Sequence, residues 1–393
     1  MINLPFDHVI NRKGTNSEKF DYPVERGLPA DVLPLWVADM DFQAPAGVRE
    51  ALSRRIEHGI FGYSGISDSY HQAVGGWFRD KFGWETQREW LVPTPGVVYA
   101  LATAVRAFTQ PGDRVLIQPP VYYPFYSVIG KNGRQLVENQ LRYDNGRYSM
   151  DLADFERKIV DNDVKLFILC SPHNPVCRVW TREELRAVGE ICLKHDVIVL
   201  SDEIHCDFTF PGHPHTIFPL AVPEMAHRSL VCTAPSKSFN LAGLQTSNIW
   251  IPGQQLRERY LAELDRAGTD MPNVMGLIAC EAAYASCGQW LEECRSYMQA
   301  NLAHVRDYLA RYLPQIRLVE PEGTYFAWLD CSGLGLSAQA LNELIIHRAK
   351  LWLDAGEIFG QCAQQFQRVV LACPRATLDR ALDQLRAAVE SLE

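Results

Sequence analysis

Five short runs of Val, Ile and Leu punctuate the middle of the chain. They are RVLIQ (114–118), KLFILC (165–170), VIVLS (197–201), SLVCTA (229–234) and SNIWI (247–251), each closed by polar, Gly or Pro residues. The runs are continuous rather than alternating, as strands buried on both faces are, and helical stretches separate them. TREELRAVGEICLKHD (181–196) has the period of a helix with one buried face. Thr181 is its expected N-cap, and Glu184 three residues on completes a capping box. Another helix is expected directly after TPG (94–96), over VVYALATAVRAFT. Strands and helices in this alternation predict an α/β domain with a mainly parallel sheet sandwiched by helices.

The last third reads differently. A helical period runs from about 276 to 312 and Pro314 ends it. IRLVE, GTYFAWLD, a helix near 338–349, RVVLAC and a closing amphipathic helix ATLDRALDQLRAAVESL follow. This pattern predicts a small α+β domain. The expected division is an N-terminal segment, 1–45, joining the small domain; a large ligand-binding domain, 46–285; and the small C-terminal domain, 286–393.

Composition narrows the function without changing the fold. The chain is 47% hydrophobic and 22% charged, ordinary for a soluble protein. A formal net charge of −9 and the lack of a Lys/Arg-rich run argue against nucleic acid as a partner. No run approaches the roughly 18 apolar residues a bilayer span needs. MINLPFDHVINRKGTNSEKFDY lacks the basic start and apolar core of a secretory signal, so the cytoplasm is the expected location. Eleven cysteines, an odd number without any C-x-x-C, favour neither a disulfide framework nor a metal site, and no metal is expected. Cys280, Cys287 and Cys294 recur every seven residues and read as small packing residues on a buried helix face.

The candidate chemistry sits where the apolar runs stop. Open parallel sheets bind ligands outside the carboxyl ends of their strands. Here those ends are QPPVYYPF, CSPHNP, SDEIH and APSK, which bring Tyr122, Asn174, Asp202, His205 and Lys237 to one rim. The set offers an aromatic ring, an amide, a carboxylate and a primary amine. Neither G-x-G-x-x-G opening a helix nor G-x-x-x-x-G-K-[ST] is present, which argues against a dinucleotide or a nucleoside triphosphate. Pyridoxal 5′-phosphate suits the set. Its aldehyde forms a Schiff base with a lysine, and its ring nitrogen needs an acidic partner if the ring is to act as an electron sink. Its phosphate suits exposed N–H groups at a helix N-terminus, which TPGVV provides.

Along nearly its whole length the sequence resembles the fold-type I pyridoxal-phosphate enzymes, the class I/II aminotransferase superfamily, and within them the MalY/PatB-type cysteine–sulfur lyases. LPLWVADMDF (33–42), FGYS (61–64), SPHNP, SDEIH, APSKSFNLAGLQ, PEGTYFAWLD and ACPR carry the resemblance, in order. It implies an aspartate aminotransferase-like large domain and a homodimer with shared active sites. By the same resemblance Lys237 is the Schiff-base lysine and mobile acid–base. Asp202 pairs with the ring nitrogen, Asn174 donates to the 3′-oxygen with His205 near it, and Tyr122 stacks on the ring. The phosphate rests on Gly96, Val97 and Val98, helped by Ser236 and by Tyr63 from the neighbouring subunit. Arg368 clamps the substrate carboxylate, a bidentate task suited to a guanidinium. Ala38 is expected at the substrate, and Tyr123 is a candidate phenol near the leaving sulfur. Two positions depart from the family pattern: Gln245 stands where many members have a phosphate-binding Arg, and Ala234 where they have Ser. The implied reaction is β-elimination from L-cystathionine or another S-substituted L-cysteine, giving pyruvate, ammonia and a thiol. Amino transfer uses the same residues and is the alternative. A cofactor-binding regulator without turnover is a third reading, disfavoured because no basic N-terminal DNA-binding domain precedes the main domain.

Overall fold

In the computed structural model, which describes residues 6–269 and 271–392, the apolar runs assemble into one seven-stranded sheet. Its strands are β1 (Leu91–Thr94), β2 (Arg114–Ile117), β3 (Gln135–Glu138), β4 (Val164–Cys170), β5 (Ile198–Asp202), β6 (Ser229–Thr233) and β7 (Ser247–Trp250). They lie in the order β1-β7-β6-β5-β4-β2-β3. Burial on both faces explains the continuous apolar runs. Along β4, Leu166 and Ile168 enter one core cluster, while Phe167 and Leu169 enter the other. Helices α1 (Val97–Phe108) and α3 (Gln254–Arg266) cover the first face, and α2 (Arg182–Lys194) covers the second through Leu185, Val188 and Cys192. The capping box of α2 is complete. Thr181 Oγ1 accepts from Glu184 N at 3.2 Å, and Glu184 Oε2 accepts from Thr181 N at 2.8 Å.

β7 runs antiparallel to both neighbours. The expectation of parallel strands fails there for a topological reason. A parallel return needs a crossover over the sheet face, usually a full helix. Between β6 and β7 there are only two short helical turns, Pro235–Ser238 and Ala242–Leu244. The chain turns back at the edge where it left. β1 and β3 have no counterpart among the expected strands. β1 is four residues long and carries Pro93, and β3 is an edge strand with only Val137 buried.

The helical period of 276–312 is two helices, α4 (Val274–Ser286) and α5 (Gly288–Tyr312), broken at Cys287 (φ −106°, ψ 19°). Cys280, Cys287 and Cys294 all face the same core cluster, so the period runs on through the break. A second, four-stranded sheet follows, built from β8 (Arg317–Val319), β9 (Phe326–Asp330), β10 (Asp354–Ala355) and β11 (Phe366–Val370) in the order β8-β9-β11-β10, with every pair antiparallel. α5 and the closing α6 (Arg375–Glu390) pack on it through Leu302, Val305, Leu378 and Leu382. The N-terminal chain joins this unit. Leu33–Pro34 pairs in parallel with Leu351–Trp352, and Leu35 O accepts from Val370 N at 3.0 Å. Among the described residues no helix is long and apolar enough to cross a membrane.

Candidate active site

The strand ends and Ala38 of the N-terminal segment border a cavity of about 210 Å³. Ala38, Tyr122, Asn174, Asp202, His205 and Lys237 line it, and Gly96, Val97, Val98 and Ser236 close its other end.

Lys237 stands on the single helical turn after β6, and its Nζ donates to Ala38 O at 2.7 Å. Tyr325 Oη donates to the same carbonyl at 3.0 Å. The amine tip borders the cavity while protein surrounds the rest of the side chain. Burial lowers its pKa to about 8; Asp39 opposes this, Arg368 assists it, and Asp202 opposes it. The amine therefore loses its proton far more readily than an ordinary lysine.

Asp202 is the last residue of β5, held in register between Cys170 of β4 and Cys232 of β6. Burial raises its carboxyl to about 7, countered by the Ile204 N–H and by Lys237. Oδ1 accepts from Ile204 N at 3.2 Å. Among the described residues no side-chain cation lies within ion-pair distance of it. A buried carboxylate facing a cavity without such a partner suits a ligand that brings a cationic N–H.

Asn174 joins the cavity to Arg368. Its Oδ1 accepts from Arg368 Nη1 at 2.8 Å, which leaves the amide N–H groups for the cavity. Arg368 Nη2 donates to Trp36 O at 2.9 Å and pairs with Asp354. The guanidinium lies 4.3 Å from the Phe326 ring centre, and its Nε has no acceptor. His205 packs edge-on to Tyr325 and Phe326. Burial first, then Lys237 and Arg368, push its pKa well down, so the ring is neutral, and its Nδ1 has no partner. Tyr122 packs on Tyr123 and Phe125, and burial raises its hydroxyl pKa.

At the other end, Gly96 precedes α1 at φ 107°, a backbone angle that favours glycine. No side chain caps α1, so its first N–H groups, at Val97 and Val98, are left for an anion. The residues therefore fit pyridoxal phosphate. They offer an anion cradle, an unpaired carboxylate and a lysine whose pKa burial lowers to about 8.

Three expected residues are not in the cavity lining itself. Arg368 sits behind Asn174, outside the cavity lining. Tyr123 is 36% exposed and packs against Phe359. Tyr63 is 94% exposed and lines a separate depression that shares Pro95, Gln245 and Thr246 with the cavity. Sequence reasoning assigned no role to Tyr325, though it lies in the quoted GTYFAWLD. It also missed Asp354. The only signal was indirect, since a buried Arg368 needs a carboxylate partner.

The strand order, the lysine after β6 and the anion cradle define the fold of the type I pyridoxal-phosphate enzymes. The chain belongs to the class I and II aminotransferase family, which residues 30–385 match, and within it to the group holding the lyase PatB and the protein MalY. It is 44% identical to cystathionine beta-lyase PatB of Bacillus subtilis (strain 168), over 98% of this chain and 100% of that protein. It is 32% identical to protein MalY of Escherichia coli (strain K12), over 98% and 99% of the two chains. The crystal structure of cystalysin from Treponema denticola, which contains a pyridoxal 5′-phosphate cofactor, matches with a TM-score of 0.95 at 38% identity over 99% of both chains.

Proposed function

We propose that this protein is a pyridoxal-phosphate-dependent C–S β-lyase that cleaves L-cystathionine or a related S-substituted L-cysteine to pyruvate, ammonia and a thiol. The observation that carries the proposal is the Lys237 amine, its pKa lowered by burial to about 8, set in one cavity with Asp202 and the α1 N-terminus. End-to-end relatedness to a cystathionine beta-lyase supports elimination over amino transfer.

When bound, the cofactor supplies an aldehyde for amines and a ring that draws electron density from the amino-bearing carbon. The protein's own groups do the rest. Val97 and Val98 N–H, with Ser236, would hold its phosphate. Asp202 would partner the ring nitrogen, Asn174 with His205 would serve the ring oxygen, and Tyr122 would pack on the ring. Ala38 O steers Lys237 Nζ, which takes the proton from the substrate's α-carbon. The electron pair left there forms a double bond to the β-carbon as the C–S bond breaks. The thiolate leaves readily, because thiols are acidic, with pKa about 8.5. Water then converts the three-carbon remainder to pyruvate and ammonia. Arg368, bonded to the cavity residue Asn174 and with its Nε–H lacking an acceptor, is assigned to the substrate carboxylate, and Tyr123 is the phenol offered to the departing sulfur.

The proposed active unit is a cytoplasmic homodimer in which Tyr63 of each subunit reaches the other's phosphate. The same reading divides the chain into 1–45, 46–285 and 286–393. The test is product analysis with an S-substituted cysteine and no keto acid. Pyruvate supports the lyase; amino transfer that requires a keto acid supports the aminotransferase.

A further inference from the structure

Segment 36–42 meets the site through two carbonyls. Trp36 O accepts from Arg368, and Ala38 O accepts from Lys237 and Tyr325. Its next residues are held by charge. Arg12 Nη1 donates to Asp39 Oδ1 at 3.1 Å and to Asp41 Oδ1 at 2.8 Å, and Nη2 donates to Asp39 Oδ2 at 2.5 Å. Lys19 is wholly buried, with Nζ 3.0 and 3.1 Å from the two Asp41 oxygens and 3.6 Å from Asp39 Oδ1. Asn240, in the loop after Lys237, accepts from Met40 N at 3.0 Å and donates to Met40 O and Phe42 O. Two cations from the N-terminal arm thus meet two anions of a segment whose carbonyl holds the reactive amine.

Burying a cation is costly unless it is paired, and leaving one partner alone is costlier still. The position of this network matters as well as its energy. Asp39 follows Ala38 directly, and its charge raises the proton affinity of Lys237. Arg12 and Lys19 sit against that same Asp39 carboxylate, at 2.5 Å and 3.6 Å.

We propose that Arg12 and Lys19 are positioning residues for Lys237: by pinning Asp39 and Asp41 they fix the Ala38 carbonyl against the amine and cancel the Asp39 charge beside it. The inference rests on the reading of Lys237 as the cofactor-holding lysine. The other groups facing Lys237 are Asp202 and neutral His205 at the end of β5, Arg368 from β11, Tyr122 across the cavity and Tyr325 through Ala38. All of these stay unchanged in the variants below, so they cancel in the comparison.

The experiment is a pH titration of the visible absorbance of the cofactor-loaded protein, followed by borohydride reduction and peptide mapping. Arg12→Met leaves Asp39 under-neutralised, which favours the protonated form. The midpoint should rise by about one pH unit, the low end for an added nearby charge. Arg12→Lys should restore the wild-type midpoint, and Asp39→Asn should lower it. The Asp39→Asn protein keeps the test open if Arg12→Met does not fold. A cofactor reduced onto another lysine refutes the reading of Lys237. With the adduct on Lys237, midpoints that do not move, or that Arg12→Lys fails to restore, overturn the inference alone.

Discussion

Replacing Asp202 by Asn should stabilise the cofactor-free protein while disabling the enzyme. Asp202 is 3% exposed, and burial raises its carboxyl from the ordinary 3.8 to about 7. Such a rise corresponds to about 4 kcal/mol, at roughly 1.36 kcal/mol per pH unit. The sign follows from proton counting. Between about pH 4 and 7 the folded state keeps the proton and the unfolded state has released it, so wild-type stability falls as pH rises through this window. Above about 7 both states are ionised and the loss is complete. Asparagine carries no such charge. The variant should therefore match the wild type near pH 4 and exceed it above pH 7, by about 1–3 kcal/mol once local relaxation is allowed for. Urea unfolding of both cofactor-free proteins at pH 4.5 and 8 reads the difference through the midpoint at constant slope. In the loaded enzyme the same change removes a preorganised charge, and turnover should fall by about 100-fold or more. A variant no more stable than wild type at pH 8 would refute the claim that this carboxylate is buried without a partner. Near-normal turnover would show that another group serves the ring nitrogen.

Two further outcomes follow from the site. Arg368→Ala should mainly raise KM for the amino-acid substrate, with a smaller fall in kcat from misorientation, measured by steady-state kinetics with a saturating cofactor. Arg368→Lys should recover little of the loss, because an ammonium cannot bridge Asn174, Trp36 O and Asp354 as the planar fork does. Mixing an inactive Tyr63→Phe protein with an inactive Lys237→Ala protein should restore part of the activity if sites are shared between subunits. No recovery, with subunit exchange verified by mass, would place Tyr63 in its own chain's packing.

The rim of the site was legible because strands buried on both faces leave unbroken apolar runs, and their ends are where ligands bind. Asn174, Asp202 and Lys237 could be located that way, one strand end each. Strand direction was not legible in the same signal. SNIWI looks alike whether it runs up or down, and the short 234–246 connection decides it. The break at Cys287 was hidden because the seven-residue spacing of the cysteines persists through it. Asp354 gave no pattern of its own, since a two-residue strand carries no period. The Arg12–Lys19–Asp39–Asp41 network escaped for a related reason. Charges in irregular chain follow no repeat, and only the folded chain brings residues 12 and 39 together.

The measurement that bears most directly on the central claim is product stoichiometry from L-cystathionine. The loaded protein, with no keto acid added, should release pyruvate, ammonia and homocysteine in equal amounts over many turnovers. Lys237→Ala should abolish this release while leaving the fold intact by circular dichroism. If S-substituted cysteines yield no pyruvate, while an added keto acid brings rapid transfer of the amino group, the protein is an aminotransferase and the lyase account is wrong.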